Sequence, residues 1–218
     1  MDEHYNQRVA RNLLHLSLEK SNLATAQREW EYARHSKEVS GEACELCEHP
    51  ELLYKFLVVN KKTQANLWVG SSCITRFNIA VVHEGRRLSG EDAARVVSND
   101  RRAAIEAART SRALDALVLL AKKTAEAQKE FPFDKYLASY RSDGHLSPKQ
   151  LNTVIWQAKG LGLHEVNAAD FKVGLKSQAD QQGMIALKPF QRRQIAPALR
   201  PDQIQWCVRN IGRTWDRG

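Results

Sequence analysis

The sequence has no long apolar run. Its longest, Ala113–Ala121, carries Asp115 and falls far short of the roughly 20 residues of a membrane-spanning helix. No positively charged leader followed by an apolar stretch opens the chain, so the expectation is a soluble, cytoplasmic protein. Low-complexity segments and long linkers are missing too. Several catalytic signatures are absent. Lys159-Gly-Leu-Gly162 reads as a helix stop rather than a phosphate-cradling loop, and no P-loop pattern exists. His83-Glu84 lacks the second histidine of a His-Glu-x-x-His helix, and the His-x-Glu then Pro-Cys-x-x-Cys order of zinc deaminases does not occur. The expectation is a protein that binds rather than catalyses. Cysteine is scarce, four in 218 residues, and a chain of this length can bury a core without disulfides. In a reducing cytosol these thiols point to metal before disulfide.

Charge of one sign is in excess. The formal net charge is +8, and residues 1–90 hold 12 Lys/Arg against 11 Asp/Glu while residues 91–218 hold 21 against 14. A basic balance favours a polyanionic partner, DNA or RNA. Candidate phosphate contacts are Lys61, Lys62, Arg101, Arg102, Lys122, Lys123, Arg192 and Arg193, with Arg86-Arg87 as a further doublet. The competing reading of such doublets is a set of solvated helix faces.

Three regions follow from the pattern. Residues 1–39 read as an N-terminal helical arm, with Leu13, Leu14, Leu16, Leu18, Leu23, Trp30 and Ala33 spaced for buried faces and Ser21-Asn22 able to cap a second helix. Residues 40–88 hold Leu53–Val59 and Leu67–Val69, two short strands around the polar tip 60–66, the one part expected to be β-structure. Ser71 or Ser72 can then cap a short helix with Cys73 near its start.

From Ser89 the chain reads as a C-terminal helical domain to residue 218. Caps are expected at Ser89, Ser98, Ser111, Ser147 and Asn167, and Phe131-Pro-Phe133 is a break. Ser147-Pro-Lys-Gln150 specifies a helix start, and Arg200-Pro-Asp-Gln203 starts the last helix, with Ile204, Cys207, Val208 and Ile211 inward and Gly212 ending it. The likeness of Leu146–Leu151 to Leu199–Ile204 reflects a shared capping idiom. Trp156 and Trp206 read as structural. Trp68 alternates with Leu67 and Val69, and core is the commoner fate of a tryptophan. The expected fold class is mainly α: a helical protein with a zinc-stapled, treble-clef-like β-hairpin inserted between helical segments.

Cys44-Glu-Leu-Cys47 has the spacing by which a tight knuckle turns two thiolates to one tetrahedral ion, and Cys73 begins the element after the hairpin. Three thiolates from two elements favour structural Zn²⁺. The fourth ligand is open. Ile74, Thr75, Arg76 and Phe77 offer none, whereas His49 follows the knuckle and Pro50 holds its backbone extended. His83 is the second candidate, and Cys207 suits a helical core better.

The run Cys44-Glu-Leu-Cys47, strand, Asn60-Lys-Lys-Thr63 and Leu67-Trp-Val-Gly-Ser-Ser-Cys-Ile-Thr-Arg-Phe77 resembles a zinc-finger-like segment in uncharacterised proteins of phages, plasmids and other mobile elements. The likeness spans about residues 40–80. It implies a small zinc-binding protein with a helical second half, and it supplies no activity. Two function classes follow. One is a nucleic-acid-binding accessory protein that uses the basic residues above and Trp68. The other is a protein-binding factor, such as an inhibitor of a host defence complex of the CRISPR type or a small subunit of a nucleoprotein assembly.

Overall fold

A computed structural model of the protein describes residues 3–36, 41–127 and 131–216. The expected boundary at Val39-Ser40 lies outside the described residues. The backbone divides into two compact units, Met1–Ala108 and Arg109–Gly218.

The first unit opens with helix α1, Glu3–Leu16, and a short α2, Leu23–Gln27, whose first turn is capped by the Asn22 side chain accepting from Thr25 N–H. The chain then becomes strand. β1 spans Trp30–His35, β2 Phe56–Asn60 and β3 Asn66–Val69, followed by α3 at Ser71–Arg76, β4 at Ala80–His83 and β5 at Arg86–Leu88. The sheet order is β3-β2-β1-β4-β5, with β1 and β4 parallel and the other pairs antiparallel.

This sheet overturns the mainly-α expectation, and the fold class is α+β. The hairpin β2–β3 forms as expected, but it is two strands of five. Trp30-Glu-Tyr-Ala-Arg-His35 is rich in helix formers, yet Trp30 and Tyr32 are buried on alternate positions, and that period of two wins once β2 pairs alongside. The β4–β5 hairpin turns at Glu84-Gly85, both at positive φ (50° and 75°), the geometry of a two-residue turn whose twist matches its strands. Val9 and Leu13 from α1, Trp30, Phe56, Val58, Leu67, Ile74 and Val97 share one core. The expected arm and the hairpin module therefore contribute to the same packed interior.

Helix α4, Gly90–Glu126, gives residues to both units. Ser98 and Ser111 were expected to start separate helices, but no Gly or Pro lies between Glu91 and Glu126 and one helix runs through. A cap residue without a breaker does not end a helix.

The second unit continues with α5, Phe133–Asp143, ended by Gly144 at φ 69°, then α6, Pro148–Gly160, α7, Gln178–Ala186, α8, Pro189–Ile195, and α9, Pro201–Asn210. The expected helix after Asn167 shrinks to a single 3-10 turn, Ala168–Asp170. Three helix starts repeat one device: Leu146-Ser-Pro-Lys-Gln150, Leu187-Lys-Pro-Phe-Gln191 and Leu199-Arg-Pro-Asp-Gln203. In each, proline takes the first turn and the glutamine side chain accepts from the backbone N–H preceding the proline, at 2.8, 2.8 and 3.0 Å. All three leucines are buried in a core with Leu117, Leu120, Tyr140, Leu151, Phe171 and Met184.

The inner face of α9 is rotated from the expected stripe. Gln203 and Cys207 are buried while Ile204 and Val208 are exposed. Gln203 points inward because its Nε2 donates to Val173 C=O at 2.7 Å while its oxygen caps the helix. Trp156 is 63 % exposed, so the structural reading of that tryptophan is corrected; its neighbours Val154 and Ile155 fill the inner face of α6 instead.

Candidate metal centre

Cys44 and Cys47 sit on a tight turn between Gly41 and Leu52. Cys44 N–H donates to His49 C=O and Glu48 N–H donates back to Cys44 C=O, both at 2.8 Å, with Glu48 at φ 62° where the chain reverses. Leu46, fully buried, anchors the turn from within. Glu45 N–H donates to Trp68 C=O at 3.0 Å, which ties the turn to β3.

Cys73 arrives from the first turn of α3. Gly70 precedes that helix, and a Cβ there would stand 3.2 Å from Leu52, so the close approach of the two chain segments favours glycine.

All three thiols are buried, and their sulfurs lie within 4.8 Å of one another. Cys73 Sγ is 3.4 Å from Cys47 Sγ and 3.7 Å from Cys44 Sγ. A disulfide needs about 2.05 Å. Thiolates bonded tetrahedrally to one ion at about 2.3 Å stand about 3.8 Å apart, close to the spacings found. All four cysteines are free thiols.

The electrostatics suit a cation. The hydrogen bond with the Cys73 thiol lowers the Cys44 thiol to about 5, against the effect of burial, and backbone N–H groups of Cys47, Gly70 and Leu46 pull the same way. The same bond, with burial second, pushes Cys73 far up, so one thiol holds the proton that another has lost. A cation removes that competition by favouring all three thiolates. Three buried cysteines that can hold a metal ion are what the geometry establishes.

His49 lines a cavity of about 210 Å³ with Cys44, Cys47 and Cys73, although its sulfur neighbours alone form the close group. His83 lies on β4, its side chain 59 % exposed and 4.0 Å from Glu84, and does not line that cavity. Cys207 is buried in the second unit's core, where burial raises its thiol to about 11.

One face of α1 clamps the knuckle. Arg8 Nε donates to Cys47 C=O at 3.3 Å, Asn12 Nδ2 to Leu46 C=O at 3.2 Å, and Asn12 and Arg11 both bond the Glu48 carboxylate. These bonds hold Glu48 below the usual carboxylate range, the Asn12 bond foremost. Tyr5 stacks on Phe77, lies under the Arg76 guanidinium, and brings its hydroxyl 3.8 Å from Cys73 Sγ. Sequence reasoning assigned none of these a role. The signal was there: Tyr5, Arg8 and Asn12 recur at helical spacing on the face beside the buried Val9 and Leu13.

The residues expected to contact phosphate divide by environment. Lys61 is paired with Glu31, and Lys62 lies 3.7 Å from Glu29. Arg192 is spent on structure, donating to the carbonyls of Met184, Ile185 and Trp215, and Arg193 donates to Asp216 C=O. Lys123 is 2.8 Å from Glu126, while Arg101, Arg102 and Lys122 are exposed on α4. Trp68 faces away from the core that takes Leu67 and Val69, half-buried beneath Lys55 at 5.4 Å.

Among known protein families, curated proteins and solved structures, none matches this chain.

Proposed function

We propose that this chain is a non-enzymatic zinc-binding protein that binds nucleic acid through its second unit. Charge supports this assignment. Residues 1–108 hold 15 Lys/Arg and 15 Asp/Glu, whereas residues 109–218 hold 18 and 10, so the whole excess of +8 lies in the helical unit. The observation that carries the reading is on α6. Trp156, 63 % exposed, shares one helix face with Lys149 and Lys159, both exposed. An exposed aromatic ring between cations is the arrangement on which bases stack while lysines meet the backbone phosphates.

Zinc belongs to the other unit. Cys44, Cys47 and Cys73 supply three thiolates and His49 the fourth ligand, and the ion fixes the knuckle against the hairpin and α3. Its role is to hold shape, since a charge-balanced unit gives little reason for it to face a polyanion.

Fluorescence anisotropy with a single-stranded oligonucleotide tests the nucleic-acid reading. Trp156→Ala should cost about 1–3 kcal/mol of affinity without changing stability, and Lys149→Gln with Lys159→Gln should flatten the salt dependence by about 1.4 in log–log slope. Salt-independent or unchanged binding overturns it. Nuclease-resistant capture of one host complex with no oligonucleotide binding would favour the protein-binding alternative. For zinc, elemental analysis should find one ion per chain, absent from Cys73→Ser.

A further inference from the structure

In the charge-balanced first unit, several basic side chains are matched by acids. Arg11 pairs with Glu48, Lys55 with Glu42, Lys61 with Glu31, Lys62 with Glu29 and Arg95 with Asp92. Arg28 and Arg87 are not among these pairs, and they line the same cavity. It has a volume of about 380 Å³ and is bounded by Ala24, Gln27, Arg28, Asn78 and Arg87, with no carboxylate on its wall. Among the described residues, none of these four polar side chains has a hydrogen-bond or ion-pair partner.

The topology creates the meeting. Arg28 closes α2 just before β1, and Asn78 stands just before β4, the strand parallel to β1. Both therefore lie at the same end of that strand pair. Arg87 comes from β5, opposite Val82 of β4. Residues 59 positions apart in sequence thus reach one concavity.

We propose that this cavity binds a phosphate monoester. Two guanidinium groups, each a rigid fork of N–H donors, match the two charges and three free oxygens of a terminal phosphate, and the Gln27 and Asn78 amides can donate to the same group. A diester in a continuous backbone offers one charge and needs a path in and out, so a concave pocket with two cations suits a terminal group better. The cavity also has room for the first part of the molecule carrying the phosphate. The source is either a small phosphorylated metabolite or the 5′-phosphate of a nucleic acid, and the site is independent of the α6 face.

Calorimetry on the full chain at fixed ionic strength tests it with inorganic phosphate, ribose 5-phosphate, and one oligonucleotide bearing either a 5′-phosphate or a 5′-hydroxyl. Ribose 5-phosphate, or the phosphorylated oligonucleotide over its hydroxyl twin, should bind with a margin that Arg28→Gln or Arg87→Gln each reduces at least tenfold. Arg86→Gln, on the neighbouring position of β5, should leave it unchanged. Preference for the oligonucleotide end names the nucleic acid as source, and binding of ribose 5-phosphate alone names a metabolite. All three arginines are exposed, and unchanged circular dichroism and melting will separate lost binding from lost folding. Binding that survives the double variant, or the absence of any 5′-phosphate-dependent binding, overturns the proposal.

Discussion

The two units solve the same problem with opposite means. Residues 1–108 are assembled from segments distant in sequence: β1 must meet both β2 and β4, Cys73 must meet Cys44 and Cys47, and α1 must reach back over residues 45–48. Residues 109–218 are assembled from helices most of which carry their own start instruction, three of them with the same Leu-x-Pro-x-Gln device. The first unit is neutral and several of its cations pair with acids; the second carries all of the net charge. A unit built from distant contacts gains most from a cross-link, and that is where the thiols are. One built from local codes leaves its exposed helix faces open for other work.

Removing the proposed zinc should break the comparison most strongly. Chelation, or Cys73→Ser, is expected to cost more than about 5 kcal/mol and to abolish amide-exchange protection in β1–β5, while α6 to α9 stay protected. Loss of protection in both units together would show that the division is not one of stability.

Next in size is Glu29, buried at the start of β1. Burial disfavours its charge, but Asn60, the N–H groups of Leu18 and Glu19, and Lys62 outweigh that and hold its carboxyl below the usual range. Glu29→Ala leaves these donors without a partner and should cost about 3 kcal/mol, read by denaturant melting of the first unit. The sign of the pH effect follows. The unfolded chain binds the proton more readily, so this stabilisation is full above the unfolded value of about 4.3 and fades as pH falls through the lower folded value. Acid titration of Glu29→Gln should lack that component.

Smaller effects sharpen the contrast. Ser147→Ala removes the side chain that accepts from Gln150 N–H and should cost about 1 kcal/mol, confined to the second unit. Smallest is Lys61→Met, which deletes an exposed pair with Glu31 and should shift melting by less than about 0.5 kcal/mol and leave the proposed nucleic-acid binding unchanged.

How much was legible follows from the same difference. The capping box at Ser147 and the β2–β3 hairpin are local and were readable, as was the candidate thiol set from Cys-x-x-Cys and a third cysteine at a helix start. β1 was misread because Glu, Ala and Arg favour helix, and only pairing with β2 makes the alternation of Trp30 and Tyr32 decisive. β4 and β5 could have been found from Val81-Val82 and Glu84-Gly85. Lys61 and Lys62 looked like a phosphate-binding tip because Glu31 and Glu29, thirty residues earlier, gave no sign of facing them. Trp156 looked like core because its neighbours are, one helix face away.

By itself, the sequence determined where most helices of the second unit begin, which residues turn the knuckle, and how the charge is divided, since each depends on neighbours within a few positions or on composition alone. Tertiary structure decided that residues 30–35 are a strand, that three thiols converge, which lysines are neutralised by acids, and that Arg28 and Arg87 share a cavity. These depend on contacts between segments tens of residues apart, whose pairing is chosen by the burial of a common core and not by any local preference.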